Sequence, residues 1–201
     1  MLEWQPYMPH SGRNVQVLPL SASIFGGRAF DVLEQPTMNK LCRSILIPAA
    51  VLAFSGAAYA ETQTCNGTLA DISIDGDVLV PARQSCTLNG TGVKGNVKVG
   101  RGGNLQAFGA IIDGDIQADK AGAVTVERAR VDGDIQVKES DAIKVADTWI
   151  DGDLQLFDNN AGASVNGNRI GGNLQCKGNK GRIGGSGNQV KGNKEDQCRR
   201  L

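Results

Sequence analysis

Histidine is nearly missing: the 201 residues hold one, His10. Beyond residue 60 there is none, which removes the commonest general base, the usual nucleophile–base triads and most zinc sites. Aromatic side chains make up 4% of the chain, and past residue 60 only Phe108, Trp149 and Phe157 remain. The sequence signal for carbohydrate recognition, which favours exposed aromatic platforms, is therefore weak. Trp149 immediately precedes an Ile150-Asp151-Gly152 turn and reads as a packed corner residue. Neither sign of charge dominates. With 21 Lys and Arg against 21 Asp and Glu, no global attraction to nucleic acid or to an anionic membrane surface is expected. Apolar runs are short, none reaching the roughly 20 residues that a membrane-spanning helix needs. Together with the few aromatics and the many glycines, this makes the chain poor material for a conventional two-layer core. What the chain has in quantity is glycine, 27 residues, and the glycines are periodic.

The phrase Ile112-Asp113-Gly114-Asp115-Ile116-Gln117 returns, slightly varied, along the whole second half of the chain. Its central glycines fall at 76, 95, 114, 133, 152, 172 and 192, in steps of 19 residues and then 20. Such regularity marks a stacked-repeat architecture. With the β-branched residue before Asp-Gly as position one, columns emerge. Position one holds Ile74, Val93, Ile112, Val131, Ile150, Ile170 and Val190, and position five holds Val78, Val97, Ile116, Ile135, Leu154 and Leu174. Position seven holds Val80, Val99, Ala118, Val137, Leu156 and Cys176. Position six between them is polar in most coils, so the strand alternates with period two. A second strand half a coil later adds the inward columns Cys86, Leu105, Val124, Ile143, Ala163, Ile183 and Leu88, Ala107, Val126, Val145, Val165.

Two strands and five inward columns per coil predict an all-β, single-stranded parallel β-solenoid over about residues 62–196. It is expected to be right-handed by the usual crossover chirality. Glycine at position three is expected to supply a turn with positive φ, and Asp or Asn at position four to hydrogen-bond the turn backbone. A leucine-rich repeat shares the period but not the Leu-x-x-Leu-x-Leu and Asn signature.

Ahead of the repeats, residues 1–37 carry no extendable pattern and read as a non-native upstream extension, with translation starting at Met38. Residues 38–60 read as a signal peptide: Lys40 and Arg43, an apolar stretch from Ile45 to Phe54, and the small-x-small motif Ala58-Tyr59-Ala60. Neither Cys42 nor Cys65 stands where a lipidated cysteine would. Residues 61–201 are then an exported solenoid with capped ends, periplasmic or extracellular and not membrane-spanning.

Four cysteines remain in that part, an even number suited to an oxidising compartment. Cys65 and Cys86 are 21 residues apart, and Cys176 and Cys198 are 22 apart, about one coil each. Any cross pair spans several coils, roughly 20 Å at about 4.8 Å per coil, against a Cα limit of about 7 Å for a disulfide. Each pair is expected to staple one end, contributing about 3 kcal/mol.

The remaining polar constellation is an aspartate ladder: Asp113, Asp132 and Asp151 in one column, Asp115, Asp134 and Asp153 in another. Stacked carboxylates repel, so they either splay into water or hold a cation such as Ca²⁺. Asn96, Asn173, Lys94 and Gly171 at equivalent positions favour solvated turn aspartates, with a calcium ladder as the alternative and no other cofactor implied. Charge is uneven along the repeats. Residues 61–168 carry 9 Lys and Arg against 16 Asp and Glu, residues 169–201 carry 8 against 2, and Lys194 falls at an inward position.

The motif Val131-Asp132-Gly133-Asp134-Ile135, repeated coil after coil over about residues 70–193, resembles the repeats of bactofilin-like, polymer-forming right-handed β-helix proteins. The resemblance implies a β-helix and self-association into filaments. To that pattern the chain adds an export signal, paired terminal cysteines and the inward Lys194. The functional expectation is a non-enzymatic structural or surface-interaction protein of the bacterial envelope or matrix, a monomer or weakly self-associating, its envelope, matrix or protein partner unspecified. A calcium-dependent binding module and a polysaccharide-active β-helix enzyme are the alternatives.

Overall fold

A computed structural model describes residues 61–201, and these contain strands and turns but no helix. The expected leader, the upstream extension, His10 and Cys42 lie outside the described residues. From Glu61 the chain winds through about seven turns of a parallel β-solenoid. Each turn visits three sheets in the same order. Sheet A has eight strands, from Gln63–Thr64 to Lys194–Asp196; sheet B has seven, from Thr68–Ala70 to Ile183–Gly184; sheet C has seven, from Ser73–Ile74 to Gln189–Val190.

The predicted columns are the observed register. Ile116, Ile135, Leu154 and Leu174 stack in sheet A, each fully buried, while Gln117, Gln136, Gln155 and Gln175 stack beside them facing outward. Leu105, Val124 and Ile143 do the same in sheet B. The reading of two strands per coil needs correction. Position one belongs to neither long strand: Ile112, Val131, Ile150 and Ile170 form the buried side of sheet C, whose strands are two residues long and set off from sheet A by the Asp-Gly-Asp turn. Two residues leave no room for an alternation to show.

The role given to the central glycines also needs correction, because none of them has positive φ. Left-handed backbone occurs at the other two corners instead, at Asp71, Gly90, Gly109, Arg128, Asp147, Gly167 and Gly187 before sheet C, and at Gly102, Lys120, Glu139, Asp158 and Gly178 after sheet A. What demands glycine at position three is the neighbouring coil. A Cβ on Gly114 would stand 2.6 Å from Asn96 Oδ1 and 2.7 Å from the Gly95 carbonyl oxygen. The position-four oxygen is there for a reason. Oδ1 of Asp77, Asn96, Asp115 and Asp134 accepts the main-chain N–H of position four in the next coil, at 2.8, 3.0, 2.9 and 2.7 Å. The motif thus ties coil to coil rather than closing its own turn.

From Ser140 onward the left-handed corners are lined from inside by polar residues, where the preceding coils bury Ala110, Ala121 and Ala129. Directly after Asp147, Gly167 and Gly187 come Thr148, Asn168 and Asn188, all buried. Asn168 donates to the Val145 carbonyl at 2.9 Å and accepts from the Thr148 N–H at 3.0 Å. Ser140, Asn159 and Asn179 form the matching column at the other corner. Among the described residues no buried side-chain nitrogen or oxygen lacks a partner, as a desolvated amide requires.

Both cysteine pairings are as the spacing predicts. Cys65–Cys86 and Cys176–Cys198 are bonded, with Cα separations of 5.5 and 5.3 Å, and all four side chains are buried. At the C-terminal end residues 197–200 form turns and Leu201 packs against the core. Lys194 stands in register with Leu174, half-buried, and its ammonium donates to the main-chain oxygens of Asn188, at 3.1 Å, and Leu201.

Candidate functional site

The six ladder aspartates lie where the register puts them, and protein donors engage most of them. Asp115, Asp134 and Asp153 are partly covered and give Oδ1 to the next coil; Gln117 and Gln155 donate to the second oxygens of Asp115 and Asp153. Asp113, Asp132 and Asp151 are exposed. Arg130 bridges two of them, Nε to Asp132 at 2.7 Å and Nη2 to Asp151 at 3.0 Å. Among the described residues no three His, Cys, Asp or Glu side chains converge as a metal site would require.

The outward column of sheet C is the most distinctive surface. It runs Ser73, Gly92, Ile111, Arg130, Trp149, Arg169 and Gln189. Trp149 is not the packed corner residue expected from its place before the turn. It is 45% exposed because it is the outward member of a two-residue strand whose inward member is Ile150. Neighbouring coils flank the indole with guanidinium groups, Arg130 at 5.6 Å and Arg169 at 5.7 Å from the ring centroid, within cation–π range. Its Nε1–H donates to Asp151, which pins the ring. Ile111, 53% exposed, continues the column on the side of Arg130.

The two arginines differ in one respect. Arg130 is neutralised by its aspartates, whereas Arg169 forms no ion pair among the described residues. The cause is the adjacent position-two column, which reads Asp113, Asp132, Asp151 and then changes to Gly171 and Lys191. Gly171 and Gly167 each stand two residues from Arg169 and leave the surface hollow on both flanks. One hollow, ≈ 250 Å³, is lined by Trp149, Asp151, Arg169, Gly171, Gln189 and Lys191. The other, ≈ 240 Å³, lies between Asp147, Thr148, Trp149, Gly167 and Arg169.

A larger hollow of ≈ 430 Å³ on sheet A is a weaker candidate, since its lysines are already paired. Lys98 holds Asp77 at 2.8 Å, and Lys120 holds Glu139 at 3.2 Å. The pairings register as proton affinities. The Lys98 ammonium, and next the Asn96 N–H, hold the Asp77 carboxyl below its ordinary value, and the Glu139 and Asp119 carboxylates hold the Lys120 ammonium above its own.

No family model, curated protein or solved structure matches the chain. What the structure supports is a parallel β-helix repeat of about seven turns. Among the described residues no helix is long and apolar enough to cross a membrane. The two bonded cysteine pairs suit an oxidising, exported environment.

Proposed function

We propose that the protein is an exported, non-enzymatic β-solenoid of the bacterial envelope or matrix that works by surface recognition, with sheet C as its contact face. The observation that carries this reading is Trp149, 45% exposed yet held by Asp151 and stacked between two arginines. Tryptophan and arginine dominate binding hot spots, and a pinned aromatic loses little conformational freedom on contact. The lack of histidine beyond residue 60 supports a non-catalytic role. The rigid coil stack supports a scaffold that presents a face rather than one that closes around a substrate.

The test is retention of envelope and matrix components on the immobilised protein. Wild type and Gln136→Ala, which alters sheet A only, are expected to retain the same material, and Trp149→Ala combined with Arg169→Ala to lose it. Equal retention by all three would remove sheet C as the contact face. Self-association, which the resemblance implies, has the contrast between acidic body and basic tip in its favour. The covered C-terminal end opposes it.

A further inference from the structure

We infer that the hollows beside Trp149 and Arg169 bind a carboxylate-bearing polysaccharide, one acidic sugar unit to a hollow. The inference rests on sheet C being the contact face and names the class of ligand that this face takes. Five side chains set the class. Arg169, with no ion pair among the described residues, stands between the hollows and offers a planar fork matched to a carboxylate. Lys191 adds a second cation to the larger one. Each hollow also contains an aspartate, Asp151 in one and Asp147 in the other, and an aspartate accepts hydrogen bonds from hydroxyl groups. Trp149 is the apolar wall common to both.

That mixture discriminates among ligands. A neutral glycan satisfies the aspartates but leaves Arg169 and Lys191 desolvated without a counter-charge. A polymer dense in charge, such as an acidic peptide or a nucleic acid, brings like charges against Asp147, which has no ion pair among the described residues, and such juxtapositions weigh against binding. A uronate-type unit, with one carboxylate on a ring of hydroxyls, answers both sets of groups. Size agrees as well: ≈ 250 and ≈ 240 Å³ each fall below the roughly 300–1,000 Å³ of sites for drug-sized ligands. Both openings flank the same arginine, so successive units of one polymer can occupy them, and a polymer is expected to bind more tightly than its monomer.

Glycine at 167 and 171 is set by the neighbouring coil. A Cβ on Gly167 would run into Asp147 Oδ1, and one on Gly171 into the Asp151 carbonyl oxygen, both in the neighbouring coil. The openness of both flanks is a consequence of coil stacking, which also makes it rigid.

The experiment measures binding of the purified protein to polygalacturonate, to its carboxyl-reduced neutral form and to poly-L-glutamate at physiological salt. Polygalacturonate is expected to bind at least tenfold more tightly than either of the others. Arg169→Ala and Trp149→Ala should each weaken it at least tenfold, Arg169→Lys less, and Gln136→Ala not at all, with thermal melts showing each variant folded. Poly-L-glutamate or the neutral polymer binding equally well, or Arg169→Ala binding like wild type, would overturn the inference. If sheet C variants lose retention of envelope material while polygalacturonate fails to bind, the ligand class is wrong and the contact face stands. If retention is also unaffected, both fail.

Discussion

Gly133 and Gly109 look alike in the sequence and are glycine for different reasons. Gly109 has φ +59° with nothing within 4 Å of where a Cβ would go, so Ala there meets only backbone strain, about 1 kcal/mol. Gly133 has no positive φ. A Cβ on it would strike Asp115 Oδ1, whose acceptor role joins the two coils, and would stand 2.8 Å from the Gly114 carbonyl oxygen. Relief requires either Asp115 to let go of the Asp134 N–H or the coils to part. Gly133→Ala is therefore expected to destabilise by about 2 kcal/mol or more, clearly beyond Gly109→Ala, in urea unfolding of the purified protein. Equal losses would mean that position three is governed by φ after all. The period alone could not separate these cases, because a turn glycine and a glycine under an interlocking side chain recur with the same spacing.

At the scale of elements, the inward columns were legible because burial forces Ile, Val and Leu to repeat in register. Val97, Ile116, Ile135 and Leu154 say as much in one line. Sheet C was not legible as a separate sheet. A strand of two residues carries one inward side chain, and its outward partner varies freely from Ile111 to Arg130 to Trp149 because solvent sets few demands. The contact column could have been found by reading one residue ahead of position one in the same frame. The buried corner residues escaped for a related reason: Thr148, Asn168 and Asn188 are polar while Ala110 and Ala129 fill the same corner in earlier coils, so the column has no uniform apolar signature to read. The aspartate ladder belongs to this scale as well. Its position-four oxygens accept main-chain N–H groups, and Arg130 spans Asp132 and Asp151, so a cation would have to displace bonds already formed. Calcium and a chelator are accordingly expected to give the same melting temperature, and a calcium-dependent rise would revive the ladder as a metal site.

Whether such solenoids join end to end is decided by what their terminal coils present. Open terminal strands offer unpaired N–H and C=O groups that invite another strand, and an acidic body draws a basic tip toward it. The C-terminal coil answers both. Lys194 occupies the place of Leu174 one coil earlier, with its ammonium donating to main-chain oxygens, and Leu201 and the buried Cys198 lie against the end of the core. A docking copy would have to displace that segment, which Cys176–Cys198 tethers. Charge attraction between exposed groups is screened over about 8 Å at physiological salt, too short a reach to compensate. The oxidised protein is therefore expected to scatter light as a monomer or weak dimer at both low and physiological salt, and large species persisting at both would defeat the capped end. Cys176→Ser with Cys198→Ser separates tether from plug. Removing the tether is expected to cost about 3 kcal/mol in the chain-entropy description, and assembly appearing only in that variant would identify the disulfide as what keeps the last coil closed.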